Sequence, residues 1–292
     1  VFTFIETMRN LISVIVYSNF WIALGAVAIC ESGYLLLGLP LRIDALSMLC
    51  FLGAWSVYLL IRLSAVTRIR AYAPDSRWTF FLQHVTLLKM TTAAGLLTCA
   101  ALFVFLPVQV QGVLLLPAAI SLLYGLPIGK KGKRLRDIGL IKIFLISFVW
   151  AFTGSFLPAA NAGESIFSPA SVILFSAQFL FIFGITLPFD LKDMENDSMH
   201  GVRTLPHYLG EDATYTLAFV SLFISALLHQ WLQRGLLEIS PDYGIPAGVG
   251  ILIAGLIIHA AKKRRSELIY FFALDGTILL QFLLLLLFKK AA

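Results

Sequence analysis

Asp190, Asp193 and Asp197 stand where a long apolar run ends, in Phe189-Asp190-Leu191-Lys192-Asp193-Met194-Glu195-Asn196-Asp197, and Gly201-Val202-Arg203-Thr204-Leu205-Pro206 follows shortly after. If the helix of the apolar run continues, the spacing i, i+3, i+7 projects all three carboxylates from one face. Three such groups repel one another unless a cation sits between them. A hard, oxygen-seeking ion such as Mg²⁺, itself holding a phosphorylated ligand, meets that need. Mg²⁺ usually takes one or two carboxylates and completes its octahedron with waters and phosphate oxygens. Asp193 and Asp197 are the expected principal ligands and catalytic residues, with Asp190, nearer the membrane, binding a second ion or orienting a water. Thr186 lies one turn deeper on the same face, and Glu195 points the other way to solvent. Gly201 is expected to end the helix, and Leu205, preceding Pro206, to be extended, which would let Arg203 and Thr204 fold back toward the carboxylates.

Several cations could share this site. Lys142 follows Asp137-Ile138-Gly139-Leu140-Ile141 at the start of an apolar run. An intramembrane cation costs roughly 2.5–3.5 kcal/mol unless it snorkels or is paired. Lys142 therefore either reaches to the interface or turns inward to bind a phosphate, and Lys89 has the same ambiguity. Tyr58 and Arg62 are four residues apart on one helix face; Arg62 reads as a phosphate ligand, a snorkelling residue or the counter-ion of Asp190. Lys130, Lys131, Lys133, Arg134 and Arg136 form a compact basic run that topology alone would explain, or that could offset a diphosphate's charge if it folds over the same mouth. The five histidines are dispersed, with no zinc spacing. Cys30, Cys50 and Cys99 fall in apolar segments and read as packing residues.

The elements that must position these groups are membrane helices. The chain has 292 residues, 59% hydrophobic and 13% charged, with a mean hydropathy of +0.90. That composition excludes an ordinary soluble domain. About nine apolar runs of spanning length occur, at roughly 11–30, 43–63, 84–106, 108–127, 138–159, 168–188, 213–233, 245–261 and 267–288. Backbone groups in lipid must be satisfied within each segment, so the expectation is an all-α, polytopic transmembrane bundle forming one domain over 1–292. Polar loops fall at about 64–83, 128–137, 189–212 and 262–266. Fifteen Lys and Arg residues lie in or beside these loops, against Arg42, Arg234, Lys289 and Lys290 on the other face. The bias predicts a cell (inner) membrane protein whose N-terminus and acidic cluster are cytoplasmic. It also accounts for the net charge of +6 with lipid headgroups as partners and no nucleic acid.

The segment Asp190 to Pro206 resembles the second aspartate-rich motif of the UbiA superfamily of intramembrane prenyltransferases, D-x-x-D-x-x-x-D running into G-x-[RK]-T-L-P. About nine spans, and Tyr124 followed by Lys130 and Lys131, are similar to that family as well. The resemblance implies Mg²⁺ bound by Asp190, Asp193 and Asp197, an isoprenyl diphosphate whose ionisation gives an allylic cation, and an aromatic or other lipophilic acceptor that attacks it. Lys130 would be a diphosphate contact. The family's first motif, N-D-x-x-D-x-x-x-D, should lie near residues 59–68, where this chain has Leu59, Leu60, Arg62, Leu63 and Arg68. Arg62, Arg68 and Arg70 are the candidate replacements. Two other readings stand beside prenyl transfer: a catalytically silent paralogue that binds a lipid diphosphate or assists a partner enzyme, and a small-molecule transporter.

Overall fold

The computed structural model describes residues 12, 14–64, 76–126, 134–199, 201–238, 242–264 and 266–291, and among these all regular structure is helical. The helices are α1 (Phe20–Leu36), α2 (Ala45–Leu63), α3 (Ser76–Gln83), α4 (Val85–Phe105), α5 (Val108–Gly125) and α6 (Gly139–Ala162). After these come α7 (Pro169–Lys192), α8 (Met194–Met199), α9 (Leu205–Leu209), α10 (Glu211–Trp231), α11 (Gly244–Lys263) and α12 (Gly276–Ala291). A 3₁₀ turn at Leu135–Asp137 precedes α6, and π-helical turns occupy Leu232–Leu237 and Ile269–Leu274. Among the described residues, eight helical segments are long and apolar enough to cross a membrane, and α1 is a shorter apolar helix. The nine apolar runs of the sequence are thus nine apolar helices.

Local sequence sets the ends. Asp44 caps α2, accepting from the amides of Leu46 at 2.8 Å and Ser47 at 3.4 Å. Ser168 caps α7, with Pro169 at the first position, where its missing N–H costs nothing. α4 packs on α2, α5 on α6, α7 on α6 and α10, α10 on α11 and α11 on α12, and α12 returns to pack on α1, which also contacts α2 and α6. The ends of α2 and α7 and the starts of α1, α6 and α12 consequently meet at one end of the bundle, here termed the carboxylate end. At the other end Asn161 donates to Tyr34 Oη at 2.6 Å and to Asp44 Oδ2 at 2.8 Å, tying α1 and the start of α2 to α6.

Three expectations change. The first span does not run unbroken from 11 to 30: the chain turns at Ser18–Asn19, where Asn19 is left-handed (φ 60°), and the helix then reaches Leu36. Asn tolerates this conformation better than most residues. The stretch 189–212 is not mainly a loop, since α7 extends to Lys192 and two short helices follow. Leu205 is helical and not extended, because Thr204 caps α9 and Pro206 occupies its first turn.

Candidate diphosphate site

The acidic helix does not continue straight. α7 ends at Lys192, Asp193 forms the turn, and α8 begins at Met194, yet the Asp197 amide still bonds Asp193 O at 2.8 Å. Gly201 (φ 71°) closes α8, with the Val202 amide returning to Asp197 O at 2.9 Å. That left-handed stop is the one the sequence anticipated. The following loop crosses the start of α6 so closely that a Cβ on Gly139 would lie 2.0 Å from Arg203 O. Gly139 therefore allows the Gly201–Pro206 segment to sit against the helix that carries Lys142.

Lys142 turns inward. Its Nζ lies 2.9 Å from Asp190 Oδ1 and 3.3 Å from Asp197 Oδ2, with Asp190 1% exposed and Lys142 and Asp197 each 17%. The pairing decides against snorkelling, and it makes Lys142, not Arg62, the counter-ion of Asp190. Two of the three aspartates thus converge on an ammonium, while Asp193 forms no ion pair among the described residues.

A pocket carrying several charged groups opens beside this pair, lined by Asn19, Tyr58, Arg62, Lys142, Thr186, Asp190, Asp193 and Asp275 together with apolar residues that include Trp21, Trp150, Phe189 and Phe271. The Arg62 Nε donates to Asn19 Oδ1 at 3.0 Å, and its guanidinium lies over the Phe81 ring at 5.7 Å. The break at Ser18–Asn19 thereby has a use: it presents the Asn19 amide to Arg62, and Trp55 Nε1 donates to the freed Ser18 carbonyl at 2.8 Å.

Sequence reasoning missed Asp275. It enters the pocket from the start of α12, directly after the π turn, whose wider loop is marked by the Asp275 amide bonding Tyr270 O at 3.2 Å. Trp21 stacks on Phe272 with centroids 4.7 Å apart and donates to Phe272 O at 2.9 Å, fixing the turn against α1. The available signal was a lone carboxylate in an apolar run, which by itself marks a functional position.

A second cavity of about 450 Å³ runs from this pocket toward the other end of the bundle. Its lining is almost wholly apolar and comes from α2, α4, α5 and α6, with one residue from α1. Tyr58, Ile146 and Trp150 line both spaces and form their shared wall. Tyr124 lines the apolar cavity and stands within electrostatic reach of Lys142 and Arg136. Arg203 is exposed and makes no ion pair with the aspartates among the described residues. Arg68, Arg70, Lys130 and Lys131 lie outside the described residues, whereas Glu195 is exposed as expected.

The sequence matches the UbiA prenyltransferase family over residues 83–275. The chain belongs to the UbiA prenyltransferase family. The matched region starts beyond residues 59–68, where the first acidic motif is missing, and takes in Lys142, the acidic motif and Asp275. A UbiA homologue from Archaeoglobus fulgidus bound to GPP and Mg²⁺ has a similar structure, with a TM-score of 0.66 and 13% identity over 94% of this chain and 99% of that one. Digeranylgeranylglyceryl phosphate synthase gives 0.61 and 16% identity, covering 97% and 100%. A UbiA homolog from Aeropyrum pernix K1 in its apo form gives 0.61 and 14%, covering 92% and 95%. No curated protein matches the sequence. At these identities the likeness is one of fold: this UbiA member is an integral, multi-pass membrane protein with an intramembrane prenyltransferase fold.

The side chains present fit a bound Mg²⁺ in their chemistry. The Asp190 Oδ2 atom is buried without a hydrogen-bond partner, and Asp193 lines the same pocket with no ion pair among the described residues. Two hard oxygen donors of that kind are what Mg²⁺ takes from a protein when a phosphorylated ligand supplies the rest. Among the described residues there is no cluster of three or more His, Cys, Asp or Glu poised as a complete cage. The site suits one ion shared with a ligand better than a protein-only metal centre.

Proposed function

We propose that this protein binds an isoprenyl diphosphate with Mg²⁺ and transfers the prenyl group to a lipophilic acceptor within the membrane. The observation that carries the reading is the junction at Tyr58, Ile146 and Trp150 of a charged pocket with a long apolar cavity, a shape that suits a ligand with an ionic head and a hydrocarbon tail. Asp190 and Asp193 would hold the ion, which supplies charge neutralisation for the departing diphosphate. Asp197 would act chiefly by holding Lys142. Lys142 and Arg62, which both line the pocket, would offset diphosphate charge, as fixed donors in a water-poor site do for a developing anion. The C1–O bond of the diphosphate breaks with its electron pair leaving on oxygen, and the acceptor then bonds C1 and loses a proton. The faces of Tyr58 and Trp150 border the region where the allylic cation forms and would stabilise it. The apolar lining keeps water from quenching it. The excess of cationic loop residues supports a cytoplasmic carboxylate end.

A second reading rests on a specific observation. With the first acidic motif absent and Lys142 already between Asp190 and Asp197, the chain could hold a lipid diphosphate without turning it over. The deciding experiment supplies purified protein in nanodiscs with prenyl diphosphates and candidate acceptors and follows release of diphosphate. Transfer predicts Mg²⁺-dependent release lost in Asp193→Asn. Binding without release supports the silent reading, and absence of binding contradicts both.

A further inference from the structure

The residues that line the charged pocket divide by the elements that bring them. α2, α6 and α7 supply Arg62, Lys142, Asp190 and Asp193, the groups that would hold metal and diphosphate. α1, the π turn and α12 supply Trp21, Ile22, Phe271 and Ile278, all apolar, and with them one carboxylate, Asp275. These last elements are joined to one another. α12 packs on α1, and Trp21 Nε1 holds the π turn through Phe272 O at 2.9 Å. Gly276 lets the backbone beside Asp275 run against the indole, since an added Cβ there would stand 3.2 Å from Trp21 Cζ2.

Metal and diphosphate leave Asp275 without a use. Among the described residues no three His, Cys, Asp or Glu side chains are grouped to hold one ion, so Asp275 does not join Asp190 and Asp193 around a shared Mg²⁺. A diphosphate, itself an anion, is repelled by a carboxylate. Arg62 and Lys192 stand within electrostatic reach of Asp275, yet neither forms an ion pair with it. Arg62 Nε donates to Asn19 Oδ1 at 3.0 Å, and Lys192 lies over the Phe271 ring at 4.2 Å. The Asp275 carboxylate accepts no hydrogen bond among the described residues. An acidic side chain within a span is costly, and one that faces a pocket without a partner marks a place where a ligand supplies the missing group. A carboxylate oxygen takes a hydrogen-bond donor. With two cations already near, a further cation would be repelled, which favours a neutral donor such as a hydroxyl. The apolar residues around it suit a hydrophobic body on the molecule that carries the hydroxyl.

We infer that Asp275 determines acceptor specificity: it accepts a hydrogen bond from a hydroxyl on a lipophilic acceptor whose apolar body packs on Trp21, Ile22 and Phe271. The inference rests on the proposed prenyl transfer and adds the acceptor group that is recognised and the span that recognises it. The test uses the full chain in nanodiscs, saturated with Mg²⁺ and farnesyl S-thiolodiphosphate, an analogue that ionises slowly because sulfur replaces the oxygen on C1. The probes are 4-octylphenol and its methyl ether, 4-octylanisole, with protein-free nanodiscs as the control for partitioning into lipid. Wild type is expected to bind the phenol about tenfold more tightly than the ether, which cannot donate. Asp275→Leu should bind the two probes alike. Asp275→Asn, nearly isosteric and still an acceptor through its amide oxygen, should keep a reduced preference for the phenol. Equal affinity of the wild type for phenol and ether, or a preference unchanged in both variants, overturns the acceptor assignment while leaving diphosphate binding intact. Loss of Mg²⁺-dependent thiolodiphosphate binding in Asp275→Asn overturns it too, because Asp275 would then be a metal ligand. Failure of the thiolodiphosphate to bind the wild type overturns the underlying reading, and the acceptor assignment with it.

Discussion

Lys142 Nζ lies 2.9 Å from Asp190 Oδ1, joining α6 to α7 inside the bundle. Because Asp190 is 1% exposed, removing the lysine leaves a buried charge without its partner, a change that costs about 3–5 kcal/mol. Lys142→Met is expected to lower the thermal unfolding temperature in nanodiscs clearly, and combining it with Asp190→Leu should recover part of the loss. Strictly additive losses in that double-mutant cycle would show that the two side chains are not coupled.

Asp193 separates function from stability. It lines the pocket but has no ion pair among the described residues. Asp193→Asn should leave stability within about 0.5 kcal/mol of wild type, while Mg²⁺-dependent binding of a prenyl diphosphate weakens by about tenfold, or about 1.4 kcal/mol. Glu195→Gln, two residues away and exposed, is the matched control and should change neither quantity.

Asn19 has two jobs that substitution can divide. Its left-handed backbone breaks the first helix, and its Oδ1 accepts from Arg62 Nε at 3.0 Å. Asn19→Gly keeps the backbone conformation and loses the hydrogen bond, so it should weaken diphosphate binding with little loss of stability. Asn19→Ala strains the turn as well, at a cost of about 1–2 kcal/mol. Calorimetry and binding measured on both variants test this, and equal stability of the two would contradict the backbone argument.

Asp137 links the fold to pH at the start of α6. Burial alone would raise its carboxyl, but hydrogen bonds from the Arg134 guanidinium (3.1 and 3.3 Å) and amide (3.0 Å), with the Arg134 and Arg136 charges, bring the net shift below the usual carboxylate range. A folded value below the unfolded one contributes stability that is present above about pH 4 and is lost as pH falls through the folded value. Asp137→Asn should therefore unfold at a lower temperature than wild type at neutral pH, and the two curves should converge on acidification.

Much of this was legible in the sequence. The nine apolar runs correspond to apolar helices among the described residues, because hydrophobic length is a local property, and Asp190 and Asp193 line the pocket while Asp197 reaches Lys142. What stayed hidden depends on the packing of distant segments. An inward Lys142 and a snorkelling one share the same sequence pattern, and only the closeness of α6 and α7 separates them. Asp275 is about eighty residues from Asp193 and comes into the site through the return of α12 onto α1 and the π turn before it. The place of the first acidic motif, near residues 59–68, holds Arg62, and no local pattern links that position to the last span.

The central claim is that the charged pocket holds a diphosphate head with Mg²⁺. Trp21 and Trp150 both line it, so intrinsic fluorescence reports directly on its occupancy. The measurement is a titration of farnesyl diphosphate into the wild-type protein in nanodiscs, with farnesol as competitor, in Mg²⁺ and again after chelation. The account predicts a saturable change that farnesol does not displace and that weakens by about tenfold, or about 1.4 kcal/mol, when the metal is removed. Displacement by farnesol as effective as by the diphosphate itself, with an affinity indifferent to Mg²⁺, would contradict it.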